Sequence, residues 1–345
     1  MSGKVLVTGH LGYVGTVLTP HLADRGWEVI GADIDLYAAC SVTSLPGRVP
    51  CPVADFRDLE VADLTDCHAV VHLAGLSNDP LGALDPDMTH AINHRAVPQL
   101  AERARAAGVR RFIAASSCSV YGSGNGEEWL HEDSDCRPLT AYAESKLAME
   151  KDLQHLASET FEVIILRPGT VFGFSPRLRF DLVVNNMVAW ALATGRLHLK
   201  STGNAWRPLL HVADLSRAIG DLLELPSPAL TQQVFNIGFN ELNLRVIDLA
   251  ERLCKSMPGM ALRFASDAGP DSRSYRVDCS RLSATLKDWR PAFQPESAVG
   301  ELRPVIVERG LNVDQFEGPE LARVAHLRQL LDQGQIDHRL RRGTD

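Results

Sequence analysis

A serine, a tyrosine and a lysine follow one another in an order that suits hydride removal from a secondary alcohol. Tyr142 and Lys146 lie four residues apart, and Ser117 precedes the tyrosine by 25 residues. Because a phenol with a pKa of about 10 is a poor base at neutral pH, it needs a neighbouring ammonium group that stabilises the phenolate. On a helix, a spacing of four places both side chains on one face. The three residues are therefore predicted to be catalytic, although Tyr-x-x-x-Lys alone also occurs by chance in many helices.

These side chains need a scaffold, and the first 170 residues alternate short apolar runs with longer helical patterns. Strands are expected at residues 4–7, 28–33, 69–73, 111–115 and 162–166, and helices at 14–25, 88–107 and 142–156. Strands that alternate with helices form a parallel, doubly wound sheet. The fold class is therefore predicted to be α/β.

Three glycines, Gly9, Gly12 and Gly15, lie between the first expected strand and the first expected helix. They permit a tight turn, close approach of the backbone to a pyrophosphate and close helix packing, and the helix N-terminus offers free N–H groups to the anion. Asp33 ends the second expected strand, where its carboxylate can accept hydrogen bonds from both ribose hydroxyls of the adenosine half. Asp35 is a rival for this role. A 2′-phosphate would meet this negative charge, so the predicted cofactor is NAD and not NADP.

The alternation of strands and helices breaks after residue 173 and returns for a short stretch. We therefore expect a Rossmann-like doubly wound domain that binds NAD and a smaller, discontinuous C-terminal substrate domain. The first is predicted at residues 1–173 plus about 209–238, and the second, with the C-terminal helices, at about 174–208 plus 239–345.

Composition limits the classes of partner. The chain has 345 residues, 45% of them hydrophobic, and a net charge of −8, whereas proteins that bind nucleic acid carry a basic face. No apolar run approaches the roughly 18 residues of a membrane span, and the first strand is expected at once, so neither a membrane partner nor a signal peptide is predicted. The seven cysteines include no Cys-x-x-Cys pair. We therefore expect no disulfide framework, no metal site and a cytoplasmic location.

Several motifs occur together: the glycine pattern, the Ser…Tyr-x-x-x-Lys set, and residues 116–122, which read Ser-Ser-x-x-Val-Tyr-Gly. In this combination the chain resembles the extended short-chain dehydrogenase/reductase family. Within that family it is similar to the NAD-dependent nucleotide-sugar epimerases and dehydratases typified by UDP-galactose 4-epimerase. The resemblance extends from residue 5 to about residue 302.

The resemblance implies a set of cofactor-binding residues. Asp55 and Phe56 occupy the position where the family contacts adenine, and the strand end after His72 lines the pyrophosphate and the nicotinamide ribose. Asn93 matches a helix residue near the cofactor. The residues assigned to NAD are Gly9, Leu11, Gly12, Tyr13, Val14, Gly15, Asp33, Asp55, Phe56, Leu73, Ala74, Gly75, Asn93, Ser116, Tyr142, Lys146 and Pro168.

The resemblance also implies a site for a nucleotide-diphosphate sugar. Arg207 matches an arginine that pairs with the diphosphate, a role that suits the guanidinium fork. Asn185 or Asn186 corresponds to an asparagine that touches the diphosphate or the base, and residues 271–275 resemble a closing segment next to the sugar or phosphate. The residues assigned to the substrate are Ser117, Cys118, Thr170, Arg179, Asn185, Asn186, His198, Arg207, Arg273 and Tyr275.

Two departures from the family narrow the reaction. Dehydratases of this group place Asp-Glu directly after the catalytic serine or threonine, whereas this chain has Cys118 and Ser119 there. Neither residue serves easily as the acid that expels water, so 4,6-dehydration is disfavoured. Cys118 could act in carbon-acid chemistry, as a nearby cysteine does in some 3,5-epimerases, or be an inert core residue. Ser77 stands where the galactose epimerases carry a lysine next to the cofactor.

The chain is therefore predicted to be an NAD-dependent enzyme that epimerises a nucleotide-diphosphate sugar through transient oxidation to a ketosugar. The alternative is a nucleotide 4-ketosugar reductase or related oxidoreductase. A non-catalytic nucleotide-binding regulator conflicts with the presence of both Tyr142 and Lys146. By analogy with the family, the helices expected near 88–107 and 142–158 pair across a homodimer.

Overall fold

The computed structural model of the protein describes residues 3–45, 47, 49–123, 128–226, 233–269, 271 and 273–342. Parts of the two predicted domains fall in the gaps between these ranges and so lie outside the described residues. Within these ranges, none of the helices is both long and apolar enough to cross a membrane.

Strands and helices alternate through the first half of the chain and mix less regularly in the second. The strands are β1 (Lys4–Thr8), β2 (Glu28–Ala32), β3 (Cys67–His72), β4 (Arg111–Ala115), β5 (Trp129–Leu130), β6 (Glu162–Pro168), β7 (Thr170–Phe172), β8 (Arg196–Ser201), β9 (Trp206–His211), β10 (Gln233–Ile237), β11 (Asn243–Arg245), β12 (Ala261–Gly269) and β13 (Arg276–Val277). The α-helices are α1 (Gly15–Asp24), α2 (Asp79–Gly82), α3 (Pro86–His90), α4 (Ala96–Ala106), α5 (Ala141–Gln154), α6 (Val183–Thr194), α7 (Val212–Glu224), α8 (Val246–Ser256), α9 (Ser280–Thr285), α10 (Ser297–Arg303), α11 (Val313–Glu317) and α12 (Arg323–Asp332).

The central sheet has six strands in the order β10–β6–β4–β3–β1–β2, and every neighbouring pair is parallel. A parallel sheet is covered on both faces, so its strands are apolar on both sides. The consecutive valines and isoleucines of β3 and β6 meet this requirement. The predicted α/β class with a parallel sheet is confirmed.

Helices cover both faces of the central sheet. On one face Val5 and Val7 of β1 join the hydrophobic cluster that contains residues of α1 and α7, and on the other Leu6 joins the cluster of α4 and α5. Successive residues of a strand point to opposite faces, so each buried strand contributes to two clusters. This packing aligns the carboxyl ends of the strands at one edge of the sheet, where ligands of such folds bind.

Smaller sheets form the rest of the molecule. β7, β9 and β11 make a three-stranded sheet, in which β7 is parallel and β11 antiparallel to β9, and β8 pairs with β12. Their apolar residues belong to the same cluster as α1 and α7, which extends to Leu199 of β8 and Leu249 of α8. The two predicted domains therefore share a continuous core, and their boundaries stay a prediction.

The helix expected over residues 88–107 is interrupted. Between α3 and α4 the chain forms a π-helical turn at Ala91–Arg95. Pro98, in the first turn of α4, has no N–H with which to continue the regular hydrogen-bond ladder, and a widened turn accommodates such a break. Within this turn, Asn93 Oδ1 accepts a hydrogen bond from the N–H of Leu76 at 2.8 Å. The break thus ties the helix to the segment after β3.

Candidate active site

The carboxyl ends of the central strands open into one large cavity. Its volume is about 940 Å³, at the upper end of the range for small-molecule sites. The residues assigned to cofactor and substrate all line this cavity, except Asn93, Cys118 and Asn185. The structure therefore brings the glycine turn, helix α5 and the second half of the chain around one space.

Cys118 lies behind the cavity wall. It is 1% exposed, and its thiol donates a weak hydrogen bond to the carbonyl oxygen of Arg167 at 3.1 Å. Burial raises the pKa of the thiol well above its ordinary value, so the reactive thiolate is disfavoured. These contacts indicate that Cys118 is an inert core residue and not a group that acts in carbon-acid chemistry.

The two asparagines outside the cavity lining support loops. Asn93 also donates from Nδ2 to the carbonyl oxygen of Leu76 at 2.9 Å, so both ends of its amide hold one residue. Asn185 accepts from the N–H of Gly173 at 2.9 Å and donates to the carbonyl oxygen of Arg179 at 3.0 Å. Their amide groups are satisfied by the backbone, which leaves Asn186, and not Asn185, to face the cavity.

The glycine turn is closed too tightly for any other residue type. Gly9 has a φ of +73°, and a Cβ there would lie 2.7 Å from the backbone nitrogen of Ala74. A Cβ at Gly15 would lie 2.3 Å from the carbonyl oxygen of Gly9. The first turn of α1 thus packs directly on the loop, and the loop packs on the end of β3. This cradle fits the diphosphate of a dinucleotide.

Asp33 and Asp35, the two candidates for the adenosine ribose, differ in their partners. Asp33 accepts hydrogen bonds from the N–H of Leu11 at 2.9 Å and of Asp35 at 2.8 Å, which fixes its carboxylate beside the glycine turn. Burial raises the pKa of Asp33, and these backbone bonds oppose the rise. The carboxylate of Asp35 forms an ion pair with the buried Arg177 at 2.7 Å. Since that pair compensates the charge of Asp35, the geometry favours Asp33 for the ribose.

Helix α5 carries the tyrosine and the lysine of the candidate catalytic group. Thr140 caps the helix, its Oγ1 accepting from the N–H of Ala143 at 3.2 Å. Lys146 Nζ donates to the carbonyl oxygen of Ala115, at the end of β4, at 2.8 Å. Burial lowers the pKa of Lys146 to about 8, and the charge of Glu150 opposes this shift. The lysine is therefore still mainly protonated at neutral pH.

Tyr142 is buried in the cavity wall. Burial raises its pKa to about 12, a hydrogen bond with Ser117 and the charge of Arg179 oppose the rise, and the charge of Asp79 adds to it. In the protein alone the phenol is therefore protonated at neutral pH. For Tyr142 to act as a base, a ligand must bring further positive charge beside it.

Hydroxyl groups link Tyr142 to a second tyrosine. Besides its bond with Tyr142, Ser117 donates to Oγ of Ser119 at 3.1 Å. Burial raises the pKa of Tyr275, and a hydrogen bond with Ser119 opposes the rise. Ser119, which stands where dehydratases have a glutamate, thus connects two cavity-lining tyrosines. A neutral chain of this kind can relay a proton but cannot supply a carboxylic acid.

A buried ion pair fixes the serine turn against α5. A guanidinium nitrogen of Arg167, on β6, lies 2.6 Å from a carboxylate oxygen of Glu150. Glu150 also accepts a hydrogen bond from Oγ of Ser116, so the hydroxyl of Ser116 is held by this ion pair. Removing one partner would leave the other as an uncompensated buried charge. This pair therefore maintains the spacing between Ser117 and Tyr142.

Arginines and aspartates lie together at the part of the cavity assigned to the substrate. Arg207 forms an ion pair with Asp271, and its guanidinium group lies 5.8 Å from the ring centroid of Tyr275. Arg273 pairs with Asp79 at 2.5 Å. A bound diphosphate would have to share or replace these carboxylates as the partner of each arginine.

A second group of side chains at this part of the cavity is organised by Glu317, the last residue of α11. Its carboxylate accepts hydrogen bonds from Asn186 at 3.0 Å, Trp190 at 2.9 Å and Lys200 at 2.7 Å. The indole of Trp190 in turn stacks on the ring of His198, with centroids 4.6 Å apart. Sequence analysis did not assign Glu317, because one acidic residue in a short helix carries no pattern.

Comparison with known proteins agrees with this geometry. The model of the NAD dependent epimerase/dehydratase family matches residues 5–238. The chain belongs to this family. The predicted membership of the extended short-chain dehydrogenase/reductases, in their nucleotide-sugar epimerase group, is confirmed, and so is NAD as the cofactor.

Relatives of the chain are named for different reactions. A protein of Bacillus subtilis (strain 168), named as an uncharacterized UDP-glucose epimerase, YtcB, is 29% identical over 82% of this chain and 92% of its own. A dTDP-4-dehydro-6-deoxy-D-allose reductase of Streptomyces bikiniensis is 28% identical over 83% of this chain and 91% of its own. The solved structure of MoeE5 in complex with UDP-glucuronic acid and NAD is 26% identical, has a TM-score of 0.75 and covers 90% of this chain and 100% of its own.

Further lining residues come from the C-terminal segment, to which no site residue was assigned from the sequence. Arg323 begins α12 and Leu340 lies close to the chain end, yet both line the cavity. His326, on α12, hydrogen-bonds to the carbonyl oxygen of Leu36 in the segment after β2 at 3.2 Å. Isolated residues of this kind have no periodicity, so only the tertiary structure reveals their position.

Proposed function

We propose that the protein is an NAD-dependent epimerase of a nucleotide-diphosphate sugar. It would oxidise a sugar hydroxyl to a ketone and return the hydride to the other face. The observation that carries this proposal is that a single cavity is lined by Ser117, Tyr142 and Lys146, by the glycine turn, and by the diphosphate candidate Arg207.

The residues that would hold NAD lie along the carboxyl edge of the central sheet. The glycine turn would take the diphosphate and Asp33 the adenosine ribose. Phe56 would pack on the adenine, and Asp55, whose carboxylate already accepts from Arg57 at 2.9 Å, would contact its edge. NAD, when bound, accepts and returns the hydride and adds positive charge beside the catalytic tyrosine.

Tyr142 is the group that would remove the proton from the sugar hydroxyl. Lys146, mainly protonated at neutral pH with a pKa of about 8, stabilises the phenolate. Ser117 can donate a hydrogen bond to the oxygen as it becomes a carbonyl. In the free protein this single hydroxyl hydrogen is donated to Ser119, so Ser117 would exchange that bond for one to the substrate, and Tyr142 would hold the displaced proton until the hydride returns. These residues supply the proton transfers that a reversible oxidation requires.

The residues beside Ser117 argue against dehydration. Loss of water from a sugar needs an acid that protonates the departing hydroxyl and a base that takes the neighbouring proton. Cys118 is buried outside the cavity lining, and Ser119 offers a hydroxyl bonded to Ser117. Transient oxidation and reduction of one carbon needs neither that acid nor that base. Epimerisation is therefore compatible with Cys118 and Ser119 at these two positions.

The substrate we propose is a nucleoside diphosphate sugar held through its diphosphate by Arg207 and Asn186. Thr170, His198, Arg273 and Tyr275 are the further lining residues at this part of the cavity. UDP sugars are the first choice, because the Bacillus subtilis relative is named for UDP-glucose and MoeE5 was solved with UDP-glucuronic acid.

Turnover without added cofactor tests the proposal. Purified protein incubated with UDP-glucose, UDP-glucuronic acid or dTDP-glucose should convert at least one of them to an epimer, because NAD is regenerated in each cycle and stays bound. Chromatography of the nucleotide sugars measures the product. No epimer from any of these sugars, together with stoichiometric consumption of NADH or NADPH when a nucleotide 4-ketosugar is supplied, would assign the reductase alternative instead.

A further inference from the structure

Arg323, the first residue of α12, is a buried cation that lines the cavity without a carboxylate partner. Its side chain is 7% exposed, and its Nε has no hydrogen-bond partner among the described residues. None of the ion pairs that the described residues form includes it. Since a buried charge without an ion pair is costly, such an arginine suits a site for an anionic ligand.

The surroundings of Arg323 hold its guanidinium group in place. Cζ lies 4.6 Å from the ring centroid of Tyr37, and Nη2 donates to the carbonyl oxygen of Arg177 at 3.1 Å. Burial and the neighbouring charge of Arg179 lower the pKa of Arg323, whereas the charge of Asp181 opposes this shift without forming an ion pair with Arg323. Two guanidinium groups that share one aspartate leave positive charge for an anionic ligand.

The order of the strands shows where the two arginines lie. β1 is between β2 and β3 in the sheet, so the glycine turn after β1 lies between the segments that follow β2 and β3. Arg323 packs on Tyr37, in the segment after β2. Arg179 donates to Oγ of Ser77, in the segment after β3, at 3.1 Å. Arg323 therefore contacts the segment on one side of the glycine turn, and Arg179 contacts the segment on the other side.

Ser77 explains why a cation from elsewhere in the chain is needed beside the cofactor. It stands where the galactose epimerases carry a lysine next to the cofactor, so the chain lacks a cation at that position. Arg179 reaches Ser77 from the segment between β7 and α6, while a bidentate ion pair with Asp181 at 2.7 Å and 3.0 Å fixes its orientation. A cation from another part of the chain thus lies beside the position where the galactose epimerases carry the lysine.

We propose that Arg323, together with Arg179, binds the diphosphate of NAD over the glycine turn. The guanidinium fork suits phosphate oxygens, and two arginines and one aspartate leave positive charge for the anion. Arg179 is thereby reassigned from the substrate to the cofactor. The proposal concerns the cofactor of the family and is independent of the reaction carried out on the sugar.

The C-terminal segment is anchored to the cofactor side of the cavity. The guanidinium group of Arg341 forms hydrogen bonds of 2.5 Å and 2.8 Å with the carboxylate of Asp58, and Arg57 donates to the carbonyl oxygen of Arg339 at 2.8 Å. Asp58 and Arg57 are close in sequence to Asp55, which is the candidate for the adenine. The C-terminal segment is therefore held near the adenine candidate by these bonds and near Tyr37 by Arg323.

Calorimetric titration of nucleotide-free protein with NAD, ADP and adenosine tests the proposal. Arg323→Met should weaken NAD and ADP binding by roughly tenfold or more, the loss expected for a charge-assisted hydrogen bond. Adenosine, which has no phosphate, should bind as it does to the wild type. Arg328→Met, which removes an exposed arginine of the same helix, should leave all three affinities unchanged. The thermal midpoint of each variant establishes that it is folded.

Two results would overturn the proposal. Unchanged NAD and ADP affinity in Arg323→Met would remove the arginine from the diphosphate site. An equal loss for all three ligands would assign Arg323 to the structure of the C-terminal segment and not to the phosphates. If Arg323→Met does not fold, Arg179→Met must give the same selective loss. Because these titrations use no nucleotide sugar, a negative result for Arg323 says nothing against the epimerase proposal.

Discussion

Positive charge around Tyr142 decides whether its phenol can act as a base. In the protein alone its pKa is about 12, because burial outweighs the hydrogen bond with Ser117 and the charge of Arg179. The positive charge of an oxidised nicotinamide ring beside the phenol would lower this pKa. We therefore expect Tyr142 to become a better base after the oxidised cofactor has bound.

Replacing Tyr142 by phenylalanine removes one hydroxyl from the buried ring. We expect turnover of the nucleotide sugar to fall by about 10²–10⁴-fold, the usual contribution of a general base. NAD affinity should change little, because the glycine turn and Asp33 provide most of its contacts. Kinetic assays and calorimetry on the same preparation measure the two effects, and unchanged turnover in Tyr142→Phe would contradict the assigned base.

Replacing Lys146 by methionine should alter how stability depends on pH. The folded-state pKa of Lys146 is about 8, below the ordinary value of about 10.4. Between these values the unfolded state binds more protons, so the free energy of unfolding rises with pH. Relative to Lys146→Met, the wild type should gain about 2 kcal/mol between pH 8 and pH 10. Urea titrations of nucleotide-free protein at each pH measure the difference.

The matched control for this titration is Lys151→Met. Lys151 is exposed on the same helix, so its variant should keep the pH dependence of the wild type. Tyr142, with a raised pKa, acts in the opposite direction above pH 10 but is present in all three proteins. A Lys146→Met profile parallel to that of the wild type would contradict the lowered pKa.

At the scale of elements, the contact between α1 and the glycine turn is the tightest requirement of the cofactor site. A Cβ at Gly15 would lie 2.3 Å from Gly9 O, whereas one at Gly300, in α10, would meet nothing within 4 Å. We expect Gly15→Ala to destabilise the fold by about 1–3 kcal/mol, the cost of overpacking, and to impair NAD binding.

Gly300→Ala is the matched control for Gly15→Ala. Both residues are helical, and neither has a positive φ. Because alanine favours a helix more than glycine does, Gly300→Ala should be neutral or stabilise the protein by up to about 1 kcal/mol. Chemical denaturation of both variants provides the comparison. Equal changes in the free energy of unfolding at the two positions would mean that the effect of Gly15→Ala comes from helix propensity and not from the closed turn.

The elements that sequence predicted well are those whose pattern is local. The apolar strands and the glycines that need close packing each give a signal within a few residues. The helix at 88–107 was predicted as continuous, and only the π-helical turn before Pro98 shows where Asn93 points. Cys118 and Asn185 were assigned from a match of position, which cannot tell a side chain facing the cavity from one buried behind it.

At the scale of the whole molecule, the cavity depends on contacts between distant parts of the chain. Glu317, Arg323 and Leu340 reach it from the C-terminal segment, and long-range contacts of this kind leave no trace in spacing or composition. The sequence could therefore predict the half of the site built on the central sheet more completely than the half built from residues 174–342.

Association of two chains is a further expectation for the whole molecule. α5 and the region of α3 and α4 pack side by side on one face of the sheet, where His94 and Asp152 form a hydrogen bond of 2.7 Å. We predict a homodimer through this face, by analogy with the family. Sedimentation velocity should show a species of two chains. A species of one chain at micromolar concentration would remove this expectation and leave the site unaffected.

The fate of one hydrogen atom tests the central proposal most directly. The protein, without added cofactor, is incubated in D₂O with the nucleotide sugar it converts, and the product is analysed by proton NMR. The epimer is expected to retain hydrogen at the inverted carbon, because the hydride leaves and returns without exchange with solvent. Deuterium at the inverted carbon, or no product until NADH or NADPH is added, would contradict it.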